Sequence, residues 1–356
     1  MNRSILRFVS LRYNFELSIC FASLLCALAS CSPKQNKQAS DSGGFVVEAI
    51  EGDVDSFNPL FAQDVTAGEI NDLLYPGLMS AKFDASTGLL DYQPLAAKSW
   101  EFENGNADIR FHLRAGARWA DGEPFTARDI QMSFELYGDT TVGSVRQTSL
   151  DGLRRTPTGS LDVKQAVEII DDTTIVFHFD HPYPGQLFDA GLPILPAHIF
   201  GKIPREHLRE DSASHHPVSL GPFRLESWKP LQEIVLGTNQ ASTVLHPALL
   251  SQLIFRVLPD YHSRVMQLRS GEIDIFPFVN PEDAVDLAKN NPQLEIVPLG
   301  ERFYDAINWN NIDGHEFITS KGKKVRPHPL FGSAKVRRAL TMAIDRKELV
   351  ESLLGP

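Results

Sequence analysis

Residues 108–135 read DIRFHLRAGARWADGEPFTARDIQMSFE, and this stretch decides the fold class. Apolar and charged residues alternate in DIRFHLR, which predicts a strand with one buried face. The string ADGEPF then supplies a turn, and Thr126 with Asp129 three residues later predicts a capping box at the start of a helix. A strand, a turn and a capped helix in close succession indicate a mixed α/β protein.

Similar signals occur further along the chain. The strings VEII and TIVFHF flank Asp171-Asp172-Thr173, which predicts a β-hairpin. A helix is expected from about Tyr261 and should end at Gly271. Near the carboxyl end, one apolar stripe has the spacing of a helix that packs on a core, and it comprises Val336, Ala339, Leu340, Ala343 and Ile344.

Length and charge limit the classes of protein. The 356 residues suggest about two domains, and 34 basic against 45 acidic residues give a formal charge of −11. Nucleic acid is therefore not an expected partner, because an acidic protein lacks the surface that neutralises phosphates. The three cysteines, Cys20, Cys26 and Cys31, all lie near the amino terminus, so the rest of the chain has no disulfide and no cysteine-based zinc site.

The amino terminus has the pattern of an export signal. Three arginines precede an apolar run from Leu17 to Ala29 that is too short to span a membrane as a helix. The run ends in LASC, which resembles the bacterial lipobox, so we expect residues 1–30 to be removed and Cys31 to carry a lipid. Residues 31–44 are polar and suit a flexible tether. Because the signal directs export, we expect the protein to lie outside the cytoplasm. Ordinary cleavage after a small residue and an uncleaved anchor are the alternatives.

Sequence motifs for catalysis are missing. The chain contains no GxSxG, HExxH or Walker-type motif, and no GxGxxG motif after a predicted strand. His215-His216 is the one histidine cluster, and adjacent positions seldom face one metal ion. We therefore expect a protein with no catalytic residues, no metal and no cofactor, rather than an enzyme.

Six strings together carry a family resemblance: LAAKSWEF, residues 108–135, LPILPAHIF, SLGPFRLESW, RSGEIDIF and HPLFGSAKVRRALTMAIDR. They resemble the extracytoplasmic solute-binding proteins of family 5, the dipeptide, oligopeptide and nickel class that serves ABC importers. The similarity runs in order from about Phe45 to Pro356. Two departures are the charged Asp108 in a strand and a longer, more polar insert from Asp313 to Pro327.

The resemblance implies an α/β fold with two lobes, as in periplasmic binding proteins, and with an extra subdomain inserted in lobe I. Residues 45–76 and 185–300 would form the base of lobe I, and residues 77–184 its inserted subdomain. Residues 301–356 would begin lobe II, which is incomplete compared with longer relatives. We therefore expect the carboxyl-terminal helices to expose apolar side chains in this chain.

The resemblance also implies where a ligand binds. In peptide-binding relatives the ligand lies extended between the lobes and pairs with strand edges. Gln63, Asp64 and Val65 correspond to the first-lobe ligand strand, and the string RFYDAINWN would supply Tyr304 and Asn308 from the strand between the lobes. Packing alone is the alternative role for this second strand.

The function implied is that of a substrate-binding lipoprotein, which captures di- and oligopeptides and delivers them to the permease subunits of an ABC importer. The expected protein is a monomer attached to the membrane by its lipid. The same scaffold could bind an oligosaccharide, a nickel chelate, haem or an opine instead, since fold does not fix the ligand. A surface lipoprotein that acts as a sensor or adhesin is the alternative from another class.

Overall fold

The computed structural model describes residues 43–84, 86–242, 248–297 and 306–354. The strands in these ranges are β1 (Phe45–Ile50), β2 (Met79–Asp84), β3 (Leu89–Pro94), β4 (Ala97–Glu103), β5 (Asp108–Leu113), β6 (Val167–Asp171), β7 (Thr174–His178), β8 (Phe223–Lys229), β9 (Glu233–Thr238) and β10 (Gln252–Val257). The α-helices are α1 (Val65–Leu74), α2 (Ala127–Gly138), α3 (Val163–Ala166), α4 (Gln186–Ala190), α5 (Ala197–Phe200), α6 (Tyr261–Ser270), α7 (Pro281–Asn290), α8 (Gly314–Thr319), α9 (Ala334–Ala343) and α10 (Arg346–Leu354).

One four-stranded sheet has the order β1-β10-β9-β8. Strands β1 and β10 are parallel, whereas β9 is antiparallel to both β10 and β8. On the other side of β1, Ile275 makes a parallel bridge to Glu48. The carboxyl ends of β1, β10 and the Ile275 segment therefore lie at the same edge of this sheet, which is where ligands bind in many α/β proteins.

A second four-stranded sheet, of order β4-β5-β7-β6, is antiparallel throughout and confirms the predicted strand and hairpin. Helix α2 covers one face of this sheet, and the rings of Phe134 and Phe177 lie 4.9 Å apart at the contact. The apolar face predicted for DIRFHLR is buried, as are the facing side chains of α2 and of β7 with the residue that follows it; together these comprise Ile109, Phe111, Leu113, Ile130, Phe134, Tyr137, Ile175, Phe177 and Phe179. Strands β2 and β3 form a separate two-stranded sheet.

The predicted capping box at the start of α2 is present, and it also joins α2 to α5. The N–H of Thr126 donates to Oδ2 of Asp129 at 2.8 Å. The other carboxylate oxygen, Oδ1, accepts the N–H of Ala197 at 2.8 Å. Burial raises the pKa of Asp129, and these two donors lower it. One side chain thus fixes both the start of α2 and the start of α5.

The loop before β8 forms hydrogen bonds with the carboxyl end of α1. The Leu74 carbonyl oxygen accepts the N–H groups of Leu220 at 3.0 Å and Gly221 at 3.1 Å. It also accepts the hydroxyl of Ser219 at 2.8 Å. A Cβ atom at Gly221 would overlap the Leu73 carbonyl oxygen, so the backbone can approach the helix end only because residue 221 is glycine.

Asp108, the charged residue in a strand, has ionic partners. It is 8% exposed, and its Oδ1 lies 2.5 Å from Nη2 of Arg154 and 3.0 Å from Nδ1 of His178. Nε2 of His178 in turn lies 3.0 Å from Oε2 of Glu168. The carboxylate is therefore compensated by nearby cationic and hydrogen-bonding groups, as a buried charge requires.

The helices near the carboxyl end are present, but their apolar stripe is not core. Helix α6 begins at Tyr261 and ends at Ser270 with Gly271 as its C-cap, so the predicted start and stop are confirmed. Helix α9 also forms, yet no residue in it is buried, in agreement with the expectation of exposed apolar side chains. Trp309 holds α9 to the preceding chain, because its Nε1 donates to Thr341 at 3.0 Å and its ring packs against Phe331.

Several predictions lie outside the described residues, namely the export signal, Cys31, most of the tether and Tyr304. The division into lobes and an inserted subdomain stays a prediction, as does the monomer. In the part of the chain that the structure describes, no helix has both the length and the apolar character needed to cross a bilayer.

Candidate functional site

The residues predicted to contact a ligand lie where the loop after β1 enters α1. Gln63 is an exposed loop residue, Asp64 is the N-cap of α1, and Val65 is the first residue of the helix and is 57% exposed. The expected ligand strand is therefore wrong as a conformation, since the backbone turns into a helix here. Ligand contact by these three residues remains a prediction.

The change from strand to helix follows from Asp64. Its Oδ1 accepts the N–H of Ala67 at 2.6 Å, which satisfies a backbone donor at the helix start. Within the described residues, the N–H groups of Val65 and Thr66 donate to no protein acceptor. A helix start of this kind offers donors to a carbonyl or carboxylate oxygen of a ligand.

A second aspartate, Asp55 in the loop after β1, is connected by hydrogen bonds to the start of α1. The N–H of Asp55 donates to Oδ2 of Asp64 at 3.2 Å, and the N–H of Gln63 donates to Oδ2 of Asp55 at 3.1 Å. Burial raises the pKa of Asp55, and a hydrogen bond to the Asp64 carboxyl group raises it further. No local pattern in the sequence predicts this pair, because the two residues are nine positions apart in a loop.

The loop between the two aspartates rests on buried side chains. Asn58 is fully buried, where its Nδ2 donates to Oγ of Ser214 at 2.9 Å and its Oδ1 accepts the N–H of Leu60 at 3.0 Å. The ring of Phe57 packs edge-on against Trp228 at 5.2 Å. These contacts give the string Phe57-Asn58-Pro59 a structural role, since they fix the loop that leads to the predicted ligand contacts.

A third contact fixes the beginning of the same loop. Both carboxylate oxygens of Asp53 accept the indole N–H of Trp228, at 3.0 and 3.2 Å. Its Oδ2 also accepts the N–H of Leu231 at 2.8 Å. The turn between β8 and β9 is therefore attached to the loop after β1.

Two further residues lie near the carboxyl edge of the sheet β1-β10-β9-β8 and were not predicted from the sequence. Glu48, on β1, has its pKa raised to about 7, first by burial and then by the charge of Glu69. Glu69 lies one helical turn after Val65 on α1. Phe278 follows the Ile275 bridge, is 64% exposed and has a φ of 59°, a strained value for an aromatic residue.

The second predicted set of contacts is only partly described. Residues 306–310 have no strand conformation, and Asn308 is exposed among them. Trp309 packs against α9 as given above, so the packing role is present for this residue. Tyr304 is outside the described residues.

A separate open groove of about 650 Å³ runs along α2 and the segment 197–205. Two of its charged groups pair with protein groups: Lys164 with Glu135 at 3.7 Å and Arg205 with Asp139 at 3.4 Å. None of the predicted ligand contacts among the described residues lines this groove. Among the described residues, no cluster of three or more histidine, cysteine or acidic side chains could hold a metal ion.

Comparison with known proteins identifies the family. The sequence profile of bacterial extracellular solute-binding proteins, family 5, matches residues 91–356. The chain belongs to this family. The family is one of extracellular solute-binding proteins, which agrees with the expectation of a binding protein rather than an enzyme.

Two curated relatives of this chain have names that give different ligands. The oligopeptide-binding protein AppA of Bacillus subtilis is 26% identical over 331 residues, which is 92% of this chain and 54% of the relative. The probable deoxycholate-binding periplasmic protein YgiS of Escherichia coli is 26% identical over 314 residues, or 85% of this chain and 54% of the relative. This family 5 chain therefore spans about half the length of these relatives.

A solved structure confirms the fold class. The structure of AppA from Bacillus subtilis in complex with a nonapeptide superposes with a TM-score of 0.64 at 24% identity, over 88% of this chain and 56% of that one. The family 5 chain thus has the α/β architecture of periplasmic binding proteins, and it covers only part of the length of its structural neighbour.

Proposed function

We propose that the protein is the substrate-binding lipoprotein of an ABC importer and that it captures di- and oligopeptides for the permease subunits. The observation that carries this proposal is the anchored loop after β1, which presents Gln63, Asp64 and Val65 to solvent at the carboxyl edge of the parallel strands. Sequence similarity over nearly the whole chain to a protein named oligopeptide-binding supports peptides as the ligand class.

In this proposal the chain divides as the sequence predicts. Residues 45–76 and 185–300 form the base of lobe I, residues 77–184 its inserted subdomain, and residues 301–356 begin lobe II. Two observations support the division, because the sheet β1-β10-β9-β8 uses only the first two ranges and the sheet β4-β5-β7-β6 uses only the third. Closure of one lobe on the other would be the signal that the importer reads.

The ligand's backbone is held by hydrogen bonds that do not depend on its sequence. The free N–H groups of Val65 and Thr66 donate to a peptide carbonyl, whereas the N–H of Gln63 is already engaged by Asp55. The carboxylates of Asp55 and Asp64 suit a peptide ammonium group. Phe278 offers an apolar ring to a side chain, and Tyr304 and Asn308 contribute from the segment between the lobes.

A substitution at the helix start tests this mode of binding. Val65→Pro removes the N–H donor, yet proline is favourable at a first helical position, and Asp64 already has the extended backbone that precedes proline (ψ 156°). Val65→Ala keeps the donor and is the matched control. Losing one hydrogen bond should weaken peptide binding about 3- to 10-fold in Val65→Pro alone.

The measurement is isothermal titration calorimetry of the full protein with a mixed pool of di- to pentapeptides and, separately, with deoxycholate. Peptide binding that Val65→Pro weakens more than Val65→Ala supports the proposal. Deoxycholate is the second candidate ligand, because YgiS has the same sequence identity to this chain, 26%, as AppA has. Binding of deoxycholate without binding of peptides would reject the peptide function.

The proposal includes attachment to the membrane through Cys31, with residues 1–30 as the cleaved signal and residues 31–44 as a tether. Cys31→Ser should release the protein from the membrane fraction and abolish labelling with a radioactive fatty acid. Cys26→Ser lies within the signal and should change neither. Retention of Cys31→Ser in the membrane fraction would argue for an uncleaved anchor.

A further inference from the structure

The polar insert, residues 313–327, contains four basic and two acidic residues, whereas the protein as a whole is acidic. Residues 321–338, which overlap the end of the insert, contain seven basic residues and no acidic ones, and the rest of the chain contains 27 basic and 45 acidic residues. The basic residues are Lys321, Lys323, Lys324, Arg326, Lys335, Arg337 and Arg338. A local cluster of this density in an acidic protein indicates an anionic partner.

The first part of this cluster lies on an ordered excursion of the chain, residues 313–326. Its two ends are held together, since Ile312 and Pro327 form a bridge and the N–H of Asp313 donates to the Arg326 carbonyl at 2.8 Å. Helix α8 occupies the first half. The turn that follows is closed by the N–H of Lys324, which donates to Oγ of Ser320 at 3.0 Å.

The lysines of the turn are available to a partner. Lys321, Lys323 and Lys324 are exposed, and no carboxylate of the described residues lies within ion-pair distance of them. Arg326, in contrast, is paired with Glu316 at 3.0 Å.

Apolar side chains lie beside the same cations in the sequence and are exposed as well. Ile318 is 75% exposed, Val325 is 64% exposed and Leu330 is 54% exposed. Cations and apolar side chains together suit the interface of a bilayer, where the cations meet headgroup phosphates and the apolar groups enter the acyl boundary.

We propose that the excursion 313–326 docks on a bilayer surface rich in anionic phospholipid. The acidic remainder of the molecule is repelled by the same surface, so docking would orient the protein with this excursion towards the membrane. The proposal does not depend on which solute the protein binds. A lipid at Cys31 would hold the chain near a surface, and the excursion would set which face meets it.

Vesicle flotation tests the proposal. Residues 31–356 carrying Cys31→Ser, which lack the apolar signal run as well as any acyl group, are mixed with phosphatidylcholine vesicles that contain either 30% or no phosphatidylglycerol. The test variant carries Lys321→Gln, Lys323→Gln and Lys324→Gln. The control variant carries Lys82→Gln, Lys98→Gln and Lys289→Gln, which make the same change in net charge at other exposed lysines.

At roughly fivefold per lysine, the test variant should bind anionic vesicles on the order of a hundredfold less than the parent, and the control variant should bind like the parent. Ile318→Ser with Val325→Ser should also weaken binding, but should leave its dependence on salt unchanged. Equal binding to neutral and anionic vesicles would overturn the proposal. So would an equal loss in the two lysine variants, which would show an effect of net charge alone.

Discussion

At the scale of single residues, the candidate site depends on carboxylates near the end of β1. Glu48 is held in a partly buried position beside Glu69, and Asp55 and Asp64 share hydrogen bonds across a loop. In both pairs burial is the first cause of the raised pKa, at Glu48 and at Asp55 respectively. Burying a charged carboxylate lowers the free energy of unfolding at neutral pH. Destabilising groups of this kind are often found at functional sites.

Glu48→Gln should stabilise the protein at pH 8 and much less at pH 5. The folded-state pKa is about 7, against an ordinary value of 4.5, so between these values the folded protein binds a proton that the unfolded chain has released. The free energy of unfolding therefore falls as the pH rises through this window. The full penalty is present above pH 7, and it amounts to at most about 3 kcal/mol.

Thermal melts of parent and Glu48→Gln at the two pH values measure this effect. Glu210→Gln changes an exposed carboxylate and should give no such difference. A melting temperature that rises equally at pH 5 and pH 8 in Glu48→Gln would point to better packing rather than to removal of a charge.

At the scale of elements, local signals predicted structure well. The capping box of Thr126 and Asp129 and the stop at Gly271 involve residues a few positions apart, so the sequence contains the whole interaction. The partners of Asp108 lie 46 and 70 positions away, so no local pattern could reveal them. For Gln63, Asp64 and Val65 the resemblance predicted a strand edge, whereas the capping ability of Asp64 produced a helix start.

The contact between the end of α1 and the loop before β8 leads to a test. Gly221→Ala should lower the free energy of unfolding by about 3 kcal/mol, because its Cβ would meet the Leu73 carbonyl oxygen and the backbone would have to shift. Gly237→Ala is the control. There the Cβ would meet the side chain of Glu226, which can move, so a cost below about 1 kcal/mol is expected.

Urea denaturation of the two variants measures the difference. Similar free energies of unfolding for Gly221→Ala and Gly237→Ala would show that the loop before β8 can withdraw from α1 at little cost. The hydrogen bonds from Leu220 and Gly221 to the Leu74 carbonyl would then be less important for stability than their geometry suggests.

At the scale of the whole molecule, the last described segment of the chain differs from the rest because it adds no residue to the buried core. The two core clusters contain no described residue beyond Leu294. The part described after residue 305 instead exposes large apolar side chains, and these are Ile307, Phe317, Ile318, Val325, Leu330, Met342, Leu349 and Val350. Exposed apolar surface of this extent favours association.

Ending the chain near Gly300 should therefore raise its solubility. Residues 31–300 keep every residue of both core clusters, so folding should be retained while all eight exposed apolar side chains above are lost. Sedimentation of aggregates at matched concentrations compares the two chains. A lower soluble yield for residues 31–300 would show that the later segment stabilises the rest.

The position of β1 in its sheet has a consequence for how the protein matures. Its partner β10 and the bridging Ile275 both come more than 200 residues later, as Phe45 pairs with Gln252. Strands β4 to β7, in contrast, pair with one another within residues 97–178. During synthesis β1 cannot pair until most of the chain has been made, and pairing between residues far apart in the sequence slows folding. The proposed export signal would therefore act before the sheet that contains β1 has formed.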